Sequence, residues 1–168
     1  MKWNCCLPVG LIALLPAFAT LAQSHNVPPP GAQFNLPETD TDLPGYGPIR
    51  REPWFRQLWQ ERRNRWAQQV QQDQQAVVFL GDSITQLWGD DLGGSFPGMK
   101  VANRGISGDT TRGVLIRLDE DVVRLHPSAV VLLIGTNDLE EHGYPEHAAE
   151  NLRLIISALE QKTLRPSA

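Results

Sequence analysis

The sequence predicts an α/β domain built on a parallel sheet, and three observations carry that expectation. Three short apolar runs, Ala76-Val77-Val78-Phe79-Leu80, Val101-Ala102-Asn103 and Ala129-Val130-Val131-Leu132-Leu133-Ile134, each run into a loop rich in Gly, Ser, Thr, Asn and Asp. Stretches of helical periodicity lie before, between and after them. The chain has 168 residues, 41% hydrophobic and 20% charged, which is room for one ordinary globular domain.

Residues 53–72 repeat Trp54, Phe55, Leu58, Trp59, Trp66 and Val70 at helical spacing, with arginines and glutamines between them. This aromatic stripe is expected to cover a sheet edge, since aromatic burial dominates core energetics; stacking on a sugar or a lipid is the alternative. The first apolar run, residues 76–80, stops at Gly81 and reads as a strand buried on both faces. The second is weaker and precedes Arg104-Gly105; the third is stronger and precedes Gly135. Between them, residues 111–125 place Val114, Leu115, Leu118, Val122 and Leu125 on one helical face, and Pro127 ends that helix. Pro145 suits the first position of a last helix, with Leu152, Ile155, Ile156 and Leu159 as its stripe, running to about Lys162. Strands alternating with helices imply right-handed crossovers, with ligands bound beyond the carboxyl ends of the strands.

The first 22 residues read as an address rather than as structure. Met1 and Lys2 precede an apolar run over residues 7–21, closed by small residues that suit cleavage near Ala19 or Ala22. A bilayer span needs about 20 apolar residues, and Pro8 and Pro16 weaken this run further, so an uncleaved anchor is the lesser alternative. The expectation is a signal peptide over residues 1–22, a secreted or periplasmic protein, and no stable membrane span after cleavage. Residues 23–48 carry Pro28, Pro29, Pro30, Pro37, Pro44 and Pro48 with few large apolar groups, so a semi-extended linker is expected, or else a proline-rich docking segment. The domain proper then occupies residues 49–168.

Charge and cysteine content exclude several classes. Fifteen Lys and Arg against nineteen Asp and Glu give −4, without the basic face that nucleic-acid binding needs. Cleavage would remove Lys2, Cys5 and Cys6, leaving 14 basic against 19 acidic residues, −5, and no thiol. Neither a disulfide framework nor a cysteine zinc cage is available to the body of the chain.

The chemistry-bearing residues sit in the three loops after the strands: Gly81-Asp82-Ser83-Ile84-Thr85, residues 103–111 with Gly105, Ser107, Gly108 and Asp109, and Gly135-Thr136-Asn137-Asp138. In a parallel sheet these loops meet at one edge. A serine between a buried strand and a helix is rigidly held with its hydroxyl exposed, which suits attack on a carbonyl. Gly108 lets a substrate oxygen approach its amide, and the Asn137 side chain adds a further donor; oxyanion donors of this kind contribute about 3–4 kcal/mol each. Singly, each loop is a weak signal that ordinary helix capping or turn chemistry explains better. Three of them after three strands are harder to explain that way.

As a set, these blocks resemble the successive motifs of the SGNH/GDSL hydrolases, and the phrasing around them is most similar to the platelet-activating-factor acetylhydrolase catalytic-subunit branch. The resemblance covers about residues 54–159. It implies a three-layer, flavodoxin-like α/β fold with a parallel sheet, of which about three of five strands are present. It also implies a serine esterase or acylhydrolase acting on small-molecule, carbohydrate or lipid acyl esters, without metal or cofactor. Ser83 is then the nucleophile, and the Ser83 N–H, the Gly108 N–H and the Asn137 side-chain amide form the oxyanion hole. Asp82, Thr85 and Asp109 match positions that shape the loops.

The family completes its site with an Asp-x-x-His, and no such motif occurs in this sequence. A serine hydroxyl is a poor nucleophile without a base. His25, His126 and His147 read as solvated surface groups; His142, five residues after Asn137, is the candidate surrogate base. The expectation is therefore a C-terminally truncated member, weak or inactive as it stands, with the third strand exposing an unpaired edge. A non-catalytic ligand-binding module of doubly wound type is the competing function, and an assembly role through the aromatic helix and the open edge is a third.

Overall fold

The computed structural model describes residues 34–163. The expected signal peptide and the first part of the proline-rich stretch lie outside the described residues.

β1 (Val77–Gly81) is central in a three-stranded sheet, with β2 (Val101–Gly105) on one side and β3 (Ala129–Leu133) on the other, both parallel to it. The register sets Phe79 beside Asn103 and Val131, and Gly81 beside Gly105 and Leu133. All three strands therefore end level, and their following loops leave from one edge of the sheet.

Side chains alternate across a strand, so Val78, Leu80, Ala102, Val130 and Leu132 share one face. α3 (Thr111–Asp121) and α5 (Pro145–Thr163) cover that face through Val114, Leu118 and Ile155. α1 (Pro53–Gln69) builds a second apolar cluster, in which Phe55, Trp59 and Trp66 pack with Leu36, Ile49 and Ile106. On the opposite face α2 (Ser83–Leu87) follows β1, and Trp88 and Phe96 close over Phe79 at centroid distances of 5.8 and 5.0 Å. Val131 and Leu133 on the same face stay 45% and 50% exposed. Among the described residues β3 pairs only with β1, leaving the free edge that the sequence implies.

Several details differ from expectation, each for a physical reason. β2 runs two residues past Asn103, because its polar residues are buried with partners. Asn103 Nδ2 donates to the Thr85 and Gly89 carbonyls at 2.6 and 2.8 Å, and Arg104 donates to the Asp121 carbonyl at 3.0 Å and to the Asp73 carboxylate at 2.7 Å. The helix expected over residues 111–125 ends at Asp121, whose carbonyl is taken by Arg104; a 3₁₀ turn, Val123–Leu125, completes the segment. The loop after β3 holds a further short helix, α4 (Thr136–Glu140).

Arg62 and Arg63, between the aromatic residues of the α1 stripe, are buried, 8% and 6% exposed. Rings make that burial tolerable: the Arg62 guanidinium lies 5.0 Å from the Trp66 ring centroid and that of Arg63 5.2 Å from Trp59. Arg63 Nε also donates to Asp121 at 2.9 Å. Trp66 in turn receives Arg104 of β2 at 5.1 Å, so the stripe does reach the sheet edge, through a cation rather than an aliphatic side chain. Trp54 departs from the stripe and is 49% exposed.

The linker reading also needs correction where the chain is described. Residues 34–48 form no helix or strand, but they are a strap bound to the domain rather than a free spacer. Leu36 is buried in the α1 cluster. Arg112 donates to the Pro44 and Gly47 carbonyls at 3.2 and 3.0 Å, Thr110 Oγ1 to Pro48 at 2.8 Å, and Asn151 closes a two-way bond with the Tyr46 backbone at 3.0 and 2.7 Å. Proline-rich composition hides this because the partners are carbonyls, which every residue type supplies.

Candidate active site

Ser83 opens α2 directly after β1, where its side chain is partly exposed. Asp82 caps that helix, its carboxylate accepting the Ile84 N–H at 3.0 Å. Capping fixes the chain on both sides of Ser83, and the Ser83 hydroxyl has no hydrogen-bond partner among the described residues. Gly105 allows α2 to lie against β2: a methyl group there would stand 2.3 Å from the Gln86 nitrogen. Gln86 then accepts the Ser107 N–H at 2.7 Å, which ties the second loop to the helix that bears Ser83.

Gly108 follows in the left-handed region, at φ +84°, where a side chain is strained. It is also crowded, since a methyl group there would stand 2.6 Å from Trp54 Cη2 and 3.1 Å from Arg50 Cδ. Asn137, in the first turn of α4, is 7% exposed. Its Nδ2 donates to the Asp109 carbonyl at 2.8 Å and lies 3.4 Å from Asp82 Oδ2. One side-chain hydrogen is thus firmly used for positioning, and the other, at the limit of hydrogen-bonding distance, is weakly committed. Through Asn137 all three loops are joined: Asp82 neighbours Ser83 and Asp109 neighbours Gly108.

Sequence reasoning missed what holds these residues. Asp138, 1% exposed, accepts from Thr111 N and Oγ1 at 2.9 and 2.6 Å, locking α4 to the start of α3. Arg117, fully buried, donates from Nε to Asp109 at 2.8 Å and from Nη2 to the Arg104 and Gly81 carbonyls at 2.9 and 3.3 Å. Burial pushes the Asp109 carboxyl up to about 6, against the opposing charge and hydrogen bond of Arg117. Helical spacing of Arg117 from Asp121, at 3.6 Å, was the one visible signal for this network.

Among the described residues no hydrogen bond joins His142 to Ser83. His142 lies just past α4 in an exposed turn with φ +58°. His147 packs against the rings of Tyr46, tilted at 5.8 Å, and Tyr144, edge-on at 5.4 Å. Among the described residues no cluster of three His, Cys, Asp or Glu side chains is placed to hold a metal ion, and no helix is long and apolar enough to cross a membrane.

A level parallel sheet with Ser83, Gly108 and Asn137 in its three carboxyl-end loops defines an α/β protein of SGNH-hydrolase architecture. The chain belongs to the GDSL-like lipase/acylhydrolase family, whose model matches residues 79–168. It is 31% identical over 117 residues to the platelet-activating factor acetylhydrolase IB subunit alpha2 of Rattus norvegicus, covering 66% of this chain and 48% of that protein. An acetylxylan esterase of Geobacillus stearothermophilus is 36% identical over 77 residues, covering 40% and 34%. The crystal structure of a GDSL-like lipase from Bacteroides thetaiotaomicron superposes with a TM-score of 0.53 at 28% identity, covering 60% of this chain and 54% of that one. The chain spans about half the length of the curated relatives it matches, or less.

Proposed function

We propose that this chain carries the nucleophile half of a site for ester hydrolysis, in which Ser83 attacks the acyl carbonyl and the Ser83 amide, the Gly108 amide and the Asn137 side chain receive the oxyanion. The observation that carries the reading is Asn137 Nδ2, held at 2.8 Å from Asp109 and 3.4 Å from Asp82 with one hydrogen weakly committed. In the acylation step the Ser83 oxygen forms a bond to the carbonyl carbon, the ester C–O bond breaks, and the alcohol leaves with a proton. Water then cleaves the acyl-serine and releases the acid. In acylation the Ser83 proton is given up as its oxygen attacks, and the departing alcohol takes one up in the same step.

Acetyl esters are the proposed substrates, since a platelet-activating factor acetylhydrolase and an acetylxylan esterase are both among the relatives. The N-terminal pattern supports a secreted or periplasmic setting for this chemistry.

The test is incubation of the chain with p-nitrophenyl acetate, followed by intact mass and peptide mapping. One acetyl group on Ser83, absent from Ser83→Ala, is the expected result. Equal acetylation of Ser83→Ala would refute the reading, and saturable ester binding without any acetylation would favour a binding module.

A further inference from the structure

Arg50 is the last residue but one before the cap of α1, and sequence reasoning gives it no part in the site. Its guanidinium spans two of the loops that hold the proposed oxyanion donors. On one side Arg50 Cδ and Nη1 each lie 3.1 Å from where a Gly108 methyl would stand, beneath a Trp54 ring whose centroid is 5.5 Å from Arg50 Cζ. On the other side Nη2 lies 3.0 Å from Glu140 and 2.5 Å from Glu141, at the end of α4. The Arg50 side chain is 10% exposed, and of its two partners Glu141, at 27%, is better shielded from water than Glu140, at 66%, so the Glu141 pair is the stronger.

α4 is short, and Asn137 stands in its first turn. A helix is stiff, so whatever fixes its last residues also fixes the Asn137 side chain about 5 Å away along the axis. Asn137 is bonded to Asp109, the residue after Gly108. Arg50 therefore closes a ring: Gly108 turn, Asn137, α4, the two glutamates, Arg50, and back to Gly108. We propose that Arg50 is a positioning residue, a brace that sets the spacing between the Gly108 amide and the Asn137 side chain. The assignment rests on the function proposed above for its meaning in catalysis. A planar guanidinium fork suits two carboxylates and a flat ring at once, which an ammonium does not.

Hydrogen exchange in the full chain, followed by NMR, reads the brace directly. Arg50→Gln should raise exchange about tenfold at the Asp109 and Glu141 backbone amides, which donate to the Ile106 and Asn137 carbonyls at 3.0 Å each, while leaving Val78 and Leu80 in β1 unchanged, the signature of a local rather than global opening. The paired substitution Glu140→Gln with Glu141→Gln should do the same, and combining it with Arg50→Gln should add nothing further. Arg50→Lys should recover only part of the protection. Arg51→Gln, which releases the strap at Asp40 instead, should leave both amides as they were. On acetylation of Ser83 by p-nitrophenyl acetate, Arg50→Gln should lower the limiting rate about tenfold without changing the half-saturating concentration. Unchanged exchange in Arg50→Gln, or equal acceleration by Arg51→Gln, would overturn the brace. If the parent chain takes no acetyl group at Ser83, the proposed function falls, and exchange alone decides the role of Arg50.

Discussion

Asn137 Nδ2 stands 2.8 Å from the main-chain oxygen of Asp109, and this bond joins the third loop of the sheet edge to the second. An amide is well suited to the position, because one hydrogen holds the loop while the other stands only at the limit of reach of Asp82, the residue before Ser83. Asn137→Ala should lower the rate of Ser83 acetylation about 10²–10³-fold, as loss of one oxyanion donor does elsewhere. Leaving the Asp109 carbonyl without its donor should also cost about 1–3 kcal/mol in urea unfolding. An Asn137→Ala protein that is destabilised but acetylates at the parent rate would confine Asn137 to a structural role.

The support beneath that bond is ionic. Arg117 and Asp109 are both fully buried, with Nε and Oδ2 2.8 Å apart, and Arg117 also reaches two strand-end carbonyls. Arg117→Met removes one partner and strands the other charge in the core. We expect a loss of about 3–5 kcal/mol, far more than a surface ion pair would give. For contrast, Arg153→Ala, which breaks an exposed pair with Glu150, should stay within about 0.5 kcal/mol of the parent in the same urea titration.

Much of this arrangement was legible in the sequence because it is periodic. Apolar runs such as residues 76–80 and the stripe through Leu118 need no knowledge of partners to be read, and parallel strands then bring Ser83, Gly108 and Asn137 to one edge. What stayed hidden depends on pairing across the fold. Arg62, Arg63, Arg104 and Arg117 look solvated by composition, yet they are buried on Trp59, Trp66, Asp73, Asp109 and Asp121. The strap was missed for the same reason: its holding bonds run from Arg112, Thr110 and Asn151 to backbone oxygens, over separations of 62 residues or more.

Among the described residues β3 presents a free edge together with two half-exposed residues, Val131 and Leu133, on its open face. Unpaired strand edges flanked by apolar side chains recruit other strands. The chain should therefore show concentration-dependent association by analytical ultracentrifugation. Val131→Lys places a charge on that face without entering the packed side, so it should suppress association while changing unfolding free energy by no more than about 0.5 kcal/mol. Association unaffected by Val131→Lys and by Leu133→Lys would direct attention to another surface.

The last prediction concerns pH and follows from Asp109. Its carboxyl ionises in the fold only near 6, above the ordinary value of 3.8, because burial penalises the anion more than Arg117 relieves it. The folded state consequently binds this proton more tightly than the unfolded chain does. The stabilising contribution is complete below about 3.8, is lost as pH rises through about 6, and does not change further above that. The shift from 3.8 to about 6 corresponds to about 3 kcal/mol across the window. Exposed carboxylates add their own pH dependence, so the useful quantity is a difference. Unfolding free energy of the parent minus that of Asp109→Asn should fall steadily between pH 4 and about 6.5 and then level off. A difference that is flat over this interval and rises with pH only below about 4 would mean that Arg117 outweighs burial and keeps Asp109 ionised throughout.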